Sequence, residues 1–148
     1  MIIRFIIIAV IVILIFSAIR KFIFGSIKRK LYARMEKRFV GQKIILTALN
    51  ANFFGQQSKG GMQVRGNGAL VLTEIELWFG LAAPEREISI SLSQIKKVEL
   101  KRSHLGKTVF RPLLYVEFSS PTGSDSIAWA VQNPVKWKDA IERILQRS

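Results

Sequence analysis

The amino-acid sequence predicts a mainly β domain closed by one C-terminal helix and preceded by an N-terminal transmembrane helix. Three observations lead there. Residues 2–19 are apolar except for Arg4 and Ser17. From Gly41 onward, short runs with apolar residues at every second position are separated by turn residues, the pattern of half-buried strands. Near the end, Asn133 and Pro134 precede Trp137, Ala140, Ile141, Ile144 and Leu145, which recur as they would along one face of a helix.

The first element justifies itself by length. Eighteen helical residues rise about 27 Å at ~1.5 Å each, close to the ~30 Å of a hydrocarbon core. Arg4 at one end and Arg20 and Lys21 at the other can snorkel toward headgroups. A cleaved signal peptide would need small residues after the apolar run, whereas Arg20-Lys21-Phe22-Ile23-Phe24 follows it. A core helix apolar on all sides would need more surrounding protein than 148 residues provide. Residues 1–21 therefore read as a single-pass anchor. Basic residues crowd its C-terminal flank, so the positive-inside bias puts the N-terminus outside and the remainder in the cytoplasm, at the plasma (inner) membrane.

The net charge of +13 is unevenly distributed. Residues 1–38 hold nine Lys/Arg against one Glu (+8), and residues 39–148 hold fourteen against nine acids (+5). Such a chain favours an anionic neighbour. Within residues 22–40, Phe24, Ile27, Leu31, Met35 and Phe39 share one helical stripe. Arg29, Lys30, Arg34 and Lys37 fall away from the stripe, and Lys28 and Arg38 flank it. Two readings stand side by side: a basic amphipathic helix lying on the anionic inner leaflet, or a stalk whose stripe packs on the domain. So close to an anchor, lipid accounts for these cations better than nucleic acid does. With no cysteine, the chain has neither a disulfide framework nor thiolate chemistry.

The domain, 41–148, follows in order. Residues 43–54 form a first strand, 55–61 a flexible connection, and 62–65 a short second strand. At the centre, runs 69–73 and 75–79 meet at Thr73-Glu74, with Leu70 and Leu72 turned one way and Ile75, Leu77 and Phe79 doing the same on the second run. After a turn at 83–86, Ile88, Ile90 and Leu92 alternate with serines. Val98 and Leu100 then alternate with charged residues, and a turn at 103–107 follows. Leu114, Val116 and Phe118 mark another strand, and Ile127, Trp129 and Val131 mark the last. Leu70, Leu72, Leu77, Phe79, Ile90, Val98, Leu100, Val116, Phe118, Trp129, Ile141 and Ile144 are the expected core.

Gly68, Leu70, Leu72, Thr73, Leu77 and Phe79 match the pattern Gly-x-Leu-x-Leu-Thr-x-x-x-Leu-x-Phe, and Ile88-Ser-Ile-Ser-Leu92 is followed by Ile95 and Val98. On these residues the chain resembles the GRAM/pleckstrin-homology-like superfamily over roughly 41–147. The resemblance implies a bent, nearly orthogonal antiparallel sandwich or open barrel with the helix plugging one end. It also implies binding of lipid headgroups or protein segments rather than catalysis. Phosphoinositide-binding relatives present Lys and then Arg-x-Arg around the first hairpin. Here Lys59 and Arg65 stand for two members and Asn67 replaces the second Arg, which points to a looser anion contact.

No enzyme activity, cofactor or metal site is expected. His104 is the sole histidine, no nucleophile elbow is present, and the glycines at 60, 61, 66 and 68 lack a strand-loop-helix context. The candidate anionic-lipid contact comprises Lys101, Arg102, His104, Lys107 and Arg111 around one turn, with Lys59 and Arg65. The alternative is a scaffold or assembly subunit that grips a membrane-protein partner through a strand edge or through Trp78, which alternates with Leu77 and Phe79 and so faces outward.

Overall fold

The computed structural model describes residues 2–147; Met1 and Ser148, the outer ends of the expected anchor and domain, lie outside them. A single helix, α1 (Ile2–Arg38), is followed by β1 (Ile44–Gln56), β2 (Gly66–Thr73), β3 (Glu76–Leu81), β4 (Arg86–Ser91), β5 (Ile95–His104), β6 (Lys107–Ser120), β7 (Gly123–Ala130) and α2 (Pro134–Leu145). The expected anchor and juxtamembrane stretches are thus one uninterrupted helix. It is long and apolar enough to cross a membrane. Residues 62–65 are not a strand but belong to the β1–β2 loop, after a 3₁₀ turn at Gln57–Lys59.

The strands form one antiparallel sheet in the order β4-β3-β2-β1-β7-β6-β5. All seven contribute to a single core, so the sheet is bent on itself. Its members include Phe53, Leu70, Leu72, Leu77, Phe79, Ile90, Val98, Leu114, Val116, Phe118, Ile127 and Trp129. β1 is the hinge of the bend. It pairs with β2 from Ile44 to Phe53 and with β7 from Asn52 to Gln56, through register shifts in both ladders. α2 closes the sandwich with Trp137 and Ile141 buried and Ile144 half-buried. Asn133, in the left-handed region, caps it through its side-chain oxygen, which accepts from the Lys136 amide.

The central motif has a structural cause for each of its residues. Leu70, Leu72, Leu77 and Phe79 are core. A Cβ at Gly68 would lie 2.1 Å from the Gly80 carbonyl and 2.6 Å from the Phe79 ring, so only glycine fits there. The Thr73 hydroxyl accepts from the Ile75 and Glu76 amides and holds the β2–β3 turn. That turn places Ile75 in solvent, 66% exposed, not inward as its spacing suggested. Leu92 is buried at a 3₁₀ corner rather than on β4, and Leu100 is half-buried on the edge strand β5.

Candidate functional site

The outward faces of the bent sheet are built differently on its two halves. On the β2–β3 half, Ala69, Val71 and Trp78 point away from the core and are covered by Leu31 of α1 and by Phe39 just past its end, with Tyr32 and Met35 alongside. Phe39 meets Trp78 edge-on at 5.5 Å. Leu31 lies so close to Gly80 that a Cβ there would come within 2.9 Å of it. The Trp78 indole NH donates to Glu87 at 3.2 Å. Trp78 therefore faces outward, as its alternation implies, yet is wholly buried and offers nothing to a partner.

The basic residues of the stalk divide into two groups. The Arg34 guanidinium lies 3.2 Å from Glu85 and 3.3 Å from Glu87, and donates to the Leu81 carbonyl at 3.0 Å. Arg38 pairs with Glu76 at 2.9 Å, and Ser89 also donates to that carboxylate. These two cations fasten the helix to the domain. Lys28, Arg29, Lys30 and Lys37 are exposed and make no ion pair among the described residues. Of the apolar stripe, Leu31, Met35 and Phe39 pack on the sheet while Phe24 stays exposed.

These contacts also fix a direction. Arg38 sits at Glu76, where β3 begins, and Arg34 at Leu81, where it ends, so α1 runs antiparallel to β3. Followed toward its N-terminus, the helix leaves the domain at the end where β3 finishes and β2 starts. Gly66 adjoins Leu81 and Ala83 there, and the β1–β2 loop 57–65 arrives there too.

The β5–β6 hairpin reaches the same end. Leu105 (φ 51°) and Gly106 (φ 72°) make its two-residue turn, with both residues in the left-handed conformation that such hairpins need. The Leu105 side chain lies against Gly55, and the Lys107 ammonium donates to the Gln63 carbonyl at 2.7 Å. His104 is buried beneath, 3.1 Å from the Gly55 carbonyl and edge-on to Tyr115. Burial holds its imidazole below the ordinary range, although the Gly55 carbonyl acts the other way. As a buried strut, His104 cannot serve as a surface contact.

The loop is further latched by Asp125. Its carboxylate accepts from the Ser58 amide (2.9 Å), the Ser58 hydroxyl (2.6 Å), the Gln56 amide group (2.6 Å) and the Ser126 amide (2.8 Å). Burial raises its pKa, but the hydrogen bonds from Ser58, Gln56 and Ser126 outweigh that and leave it below the usual range.

Of the remaining expected contacts, Lys101 is engaged: its ammonium sits 3.4 Å over the Tyr115 ring and 3.6 Å from Glu99. Arg65 stacks 4.0 Å over Phe54 and donates to Asn52. Both cations help roof the outward face of the β6–β7 half, where Phe54, Leu113, Tyr115, Ala128 and Ala130 cluster under Val109. Lys59, Arg102 and Arg111 are exposed and without ion pairs among the described residues. A shallow cavity of about 470 Å³ lies among Arg102, Thr108, Val109, Phe110, Arg111 and Pro112. The fold thus gathers Lys59, Arg65, Arg102, Lys107 and Arg111 at one end. It adds Met62, Val64 and Phe110, exposed apolar residues, the first two of which a strand reading of 62–65 conceals.

No protein-family model matches the chain, and no curated protein matches it. Solved structures do. The C-terminal domain of an unknown protein from Leishmania infantum superposes with TM-score 0.55 at 14% identity, covering 80% of this chain and 97% of that one. The Vps36 N-terminal PH domain gives TM-score 0.53 at 20% identity, covering 72% and 81%. A chain of the 8S snRNP assembly intermediate gives 0.56 at 13%, covering 70% and 82%. The seven-stranded bent sheet, the closing helix and these neighbours together give the chain a pleckstrin-homology-like fold carried behind a long apolar N-terminal helix.

Proposed function

We propose that this is a single-pass protein of the plasma (inner) membrane, N-terminus outside, whose cytoplasmic pleckstrin-homology-like domain binds anionic lipid headgroups of its own bilayer. One observation carries the reading: cations without an ion pair among the described residues gather at the end of the domain toward which the apolar helix runs. Lys59, Arg102 and Arg111 lie there, and Lys28, Arg29 and Lys30 lie on the helix just beyond it. Anchoring supplies a high effective concentration, so weak headgroup contacts suffice. The narrower likeness to GRAM domains rests on the Gly68-to-Phe79 pattern, whose residues serve folding rather than ligand contact.

The test is co-sedimentation of residues 27–148 with phosphatidylserine vesicles. This piece keeps Leu31, Met35 and Phe39 on Trp78; a piece starting at residue 41 would strip that face bare. Each exposed cation adds ~1 kcal/mol near an anionic leaflet, so replacing Lys59, Arg102 and Arg111 by Ser should weaken binding about a hundredfold at low salt. Equal binding by wild type and triple variant would refute the headgroup reading.

A second reading, a scaffold that takes a protein strand, is favoured by a different place. The first half of β1 pairs with β2 only, and a groove of about 510 Å³ separates its far edge from α2, lined by Leu46, Ala48, Leu49, Lys136 and Trp137 among others. Crosslinking from an exposed position such as Leu49 in intact membranes discriminates the two: a discrete protein adduct favours the scaffold.

A further inference from the structure

We infer that the β1–β2 loop and the first residues of β6 form a second membrane contact, in which Met62, Val64 and Phe110 insert into the interfacial layer of the bilayer that α1 spans. The inference rests on the reading of α1 as a membrane span and adds an apolar, salt-resistant component to the headgroup contact.

Exposure is the first argument. Outside α1, Phe110 and Met62 (98%) are the two most exposed large apolar side chains among the described residues, and Val64 is 78% exposed. Solvent is an unfavourable place for such groups, and no strand or helix among the described residues covers them. The second argument is their frame. Phe110 stands between Arg111 and the Arg102 side of the hairpin, and Met62 and Val64 stand between Lys59 and Arg65, with Lys107 bonded to the intervening Gln63. Apolar tips collared by cations suit the headgroup boundary, where the tip leaves water and the collar meets phosphate.

Direction and reach are the third argument. The β1–β2 loop and the hairpin turn from which β6 starts lie at the end of the domain from which α1 departs, and no break in the helix turns it elsewhere. From Leu31, the last fully buried residue toward the N-terminus, to Ile19 the helix rises only about 18 Å, of which the headgroup layer fills roughly 5–7 Å. Phe22, Ile23 and Phe24, all exposed, extend apolar surface further down this gap.

The chain contains no cysteine, so single cysteines can carry an environment-sensitive NBD fluorophore without background. Full-length M62C, F110C and I75C are reconstituted into vesicles of phosphatidylcholine and phosphatidylserine, with and without lipids bearing a nitroxide quencher near the headgroup. Ile75 is the matched control, apolar and exposed but at the opposite end of β3. The expected result is a blue shift and strong quenching at positions 62 and 110, with neither at 75. Absence of quenching at 62 and 110 overturns the inference, as does equal quenching at all three positions. Vesicles of phosphatidylcholine alone separate the two readings. Insertion that persists there keeps the wedge and removes the need for anionic headgroups. Charge-dependent co-sedimentation without quenching keeps the headgroup contact and removes the wedge.

Discussion

The two outward faces of the sheet solve one problem in opposite ways. Each half of a bent sheet has an inner face in the core and an outer face that water would otherwise reach. On the β2–β3 half the outer residues are small (Ala69, Val71) around one large ring (Trp78), which leaves a bed for a helix. α1 fills it and is pinned by Arg34 and Arg38. On the β6–β7 half the outer residues include Phe54, Leu113 and Tyr115, which stand too tall for a helix to lie close. They are roofed piecemeal by Val109, His104 and the cations Arg65 and Lys101. Side-chain size on the outward positions thus decides which half holds the stalk and which half stays free to present basic groups.

The largest expected effect breaks the first face. Trp78→Ala removes a wholly buried ring shared by sheet and helix and should cost ~3–5 kcal/mol. It should also release α1, seen as new protease cleavage between residues 38 and 44. Loss of stability with no gain in cleavage would mean that the ring serves the sheet alone.

Replacing Arg34 and Arg38 together by Gln should be milder. Both pairs are partly exposed, so about 1–2 kcal/mol in total is expected, falling with added salt. A salt-independent loss would assign the effect to the Arg34–Leu81 carbonyl bond instead.

On the second face, Arg65→Ala removes a cation from the Phe54 ring and should cost ~0.5–1 kcal/mol in thermal denaturation. If it destabilises as much as the Trp78 change, the piecemeal roof is more cooperative than its parts.

The smallest effect is pH-dependent. The depressed His104 pKa means the folded state favours the neutral ring. Its contribution is present above the unfolded value of ~6.5 and is lost as pH falls through the lower folded value. Hydrogen exchange at the hairpin tip should quicken below that point, and His104→Gln should flatten the dependence.

Much of the fold was legible because alternation and burial coincide: Leu70, Leu72, Ile90, Val116 and Trp129 are core, and Asn133-Pro134 opens α2. Ile75 misled because a hydroxyl-capped turn interrupts the period where the residue count continues. The basic cluster at 101–111 was visible as composition, but the engagement of its members was not. The partners that separate Arg34 from Lys30 lie about fifty positions further along the chain, and Lys101 is occupied by a ring on the neighbouring strand. Met62 and Val64 escaped because an apolar residue in a strand-like run reads as buried until its neighbours are known, and Phe110 because it falls between the turn at 103–107 and the strand marked from Leu114.

The unbroken helix has one further consequence. Because α1 is continuous and clamped at its far end, the heading of the domain relative to the apolar end of the helix is a matter of helical phase. One residue inserted near Gly25 would swing the domain about 100° around the helix axis and lift it ~1.5 Å, carrying Phe110 away from whatever it faces. Seven residues would lift it roughly 10 Å yet return it within ~20° of its original heading. Bearing and height can therefore be varied independently in one protein, simply by counting residues.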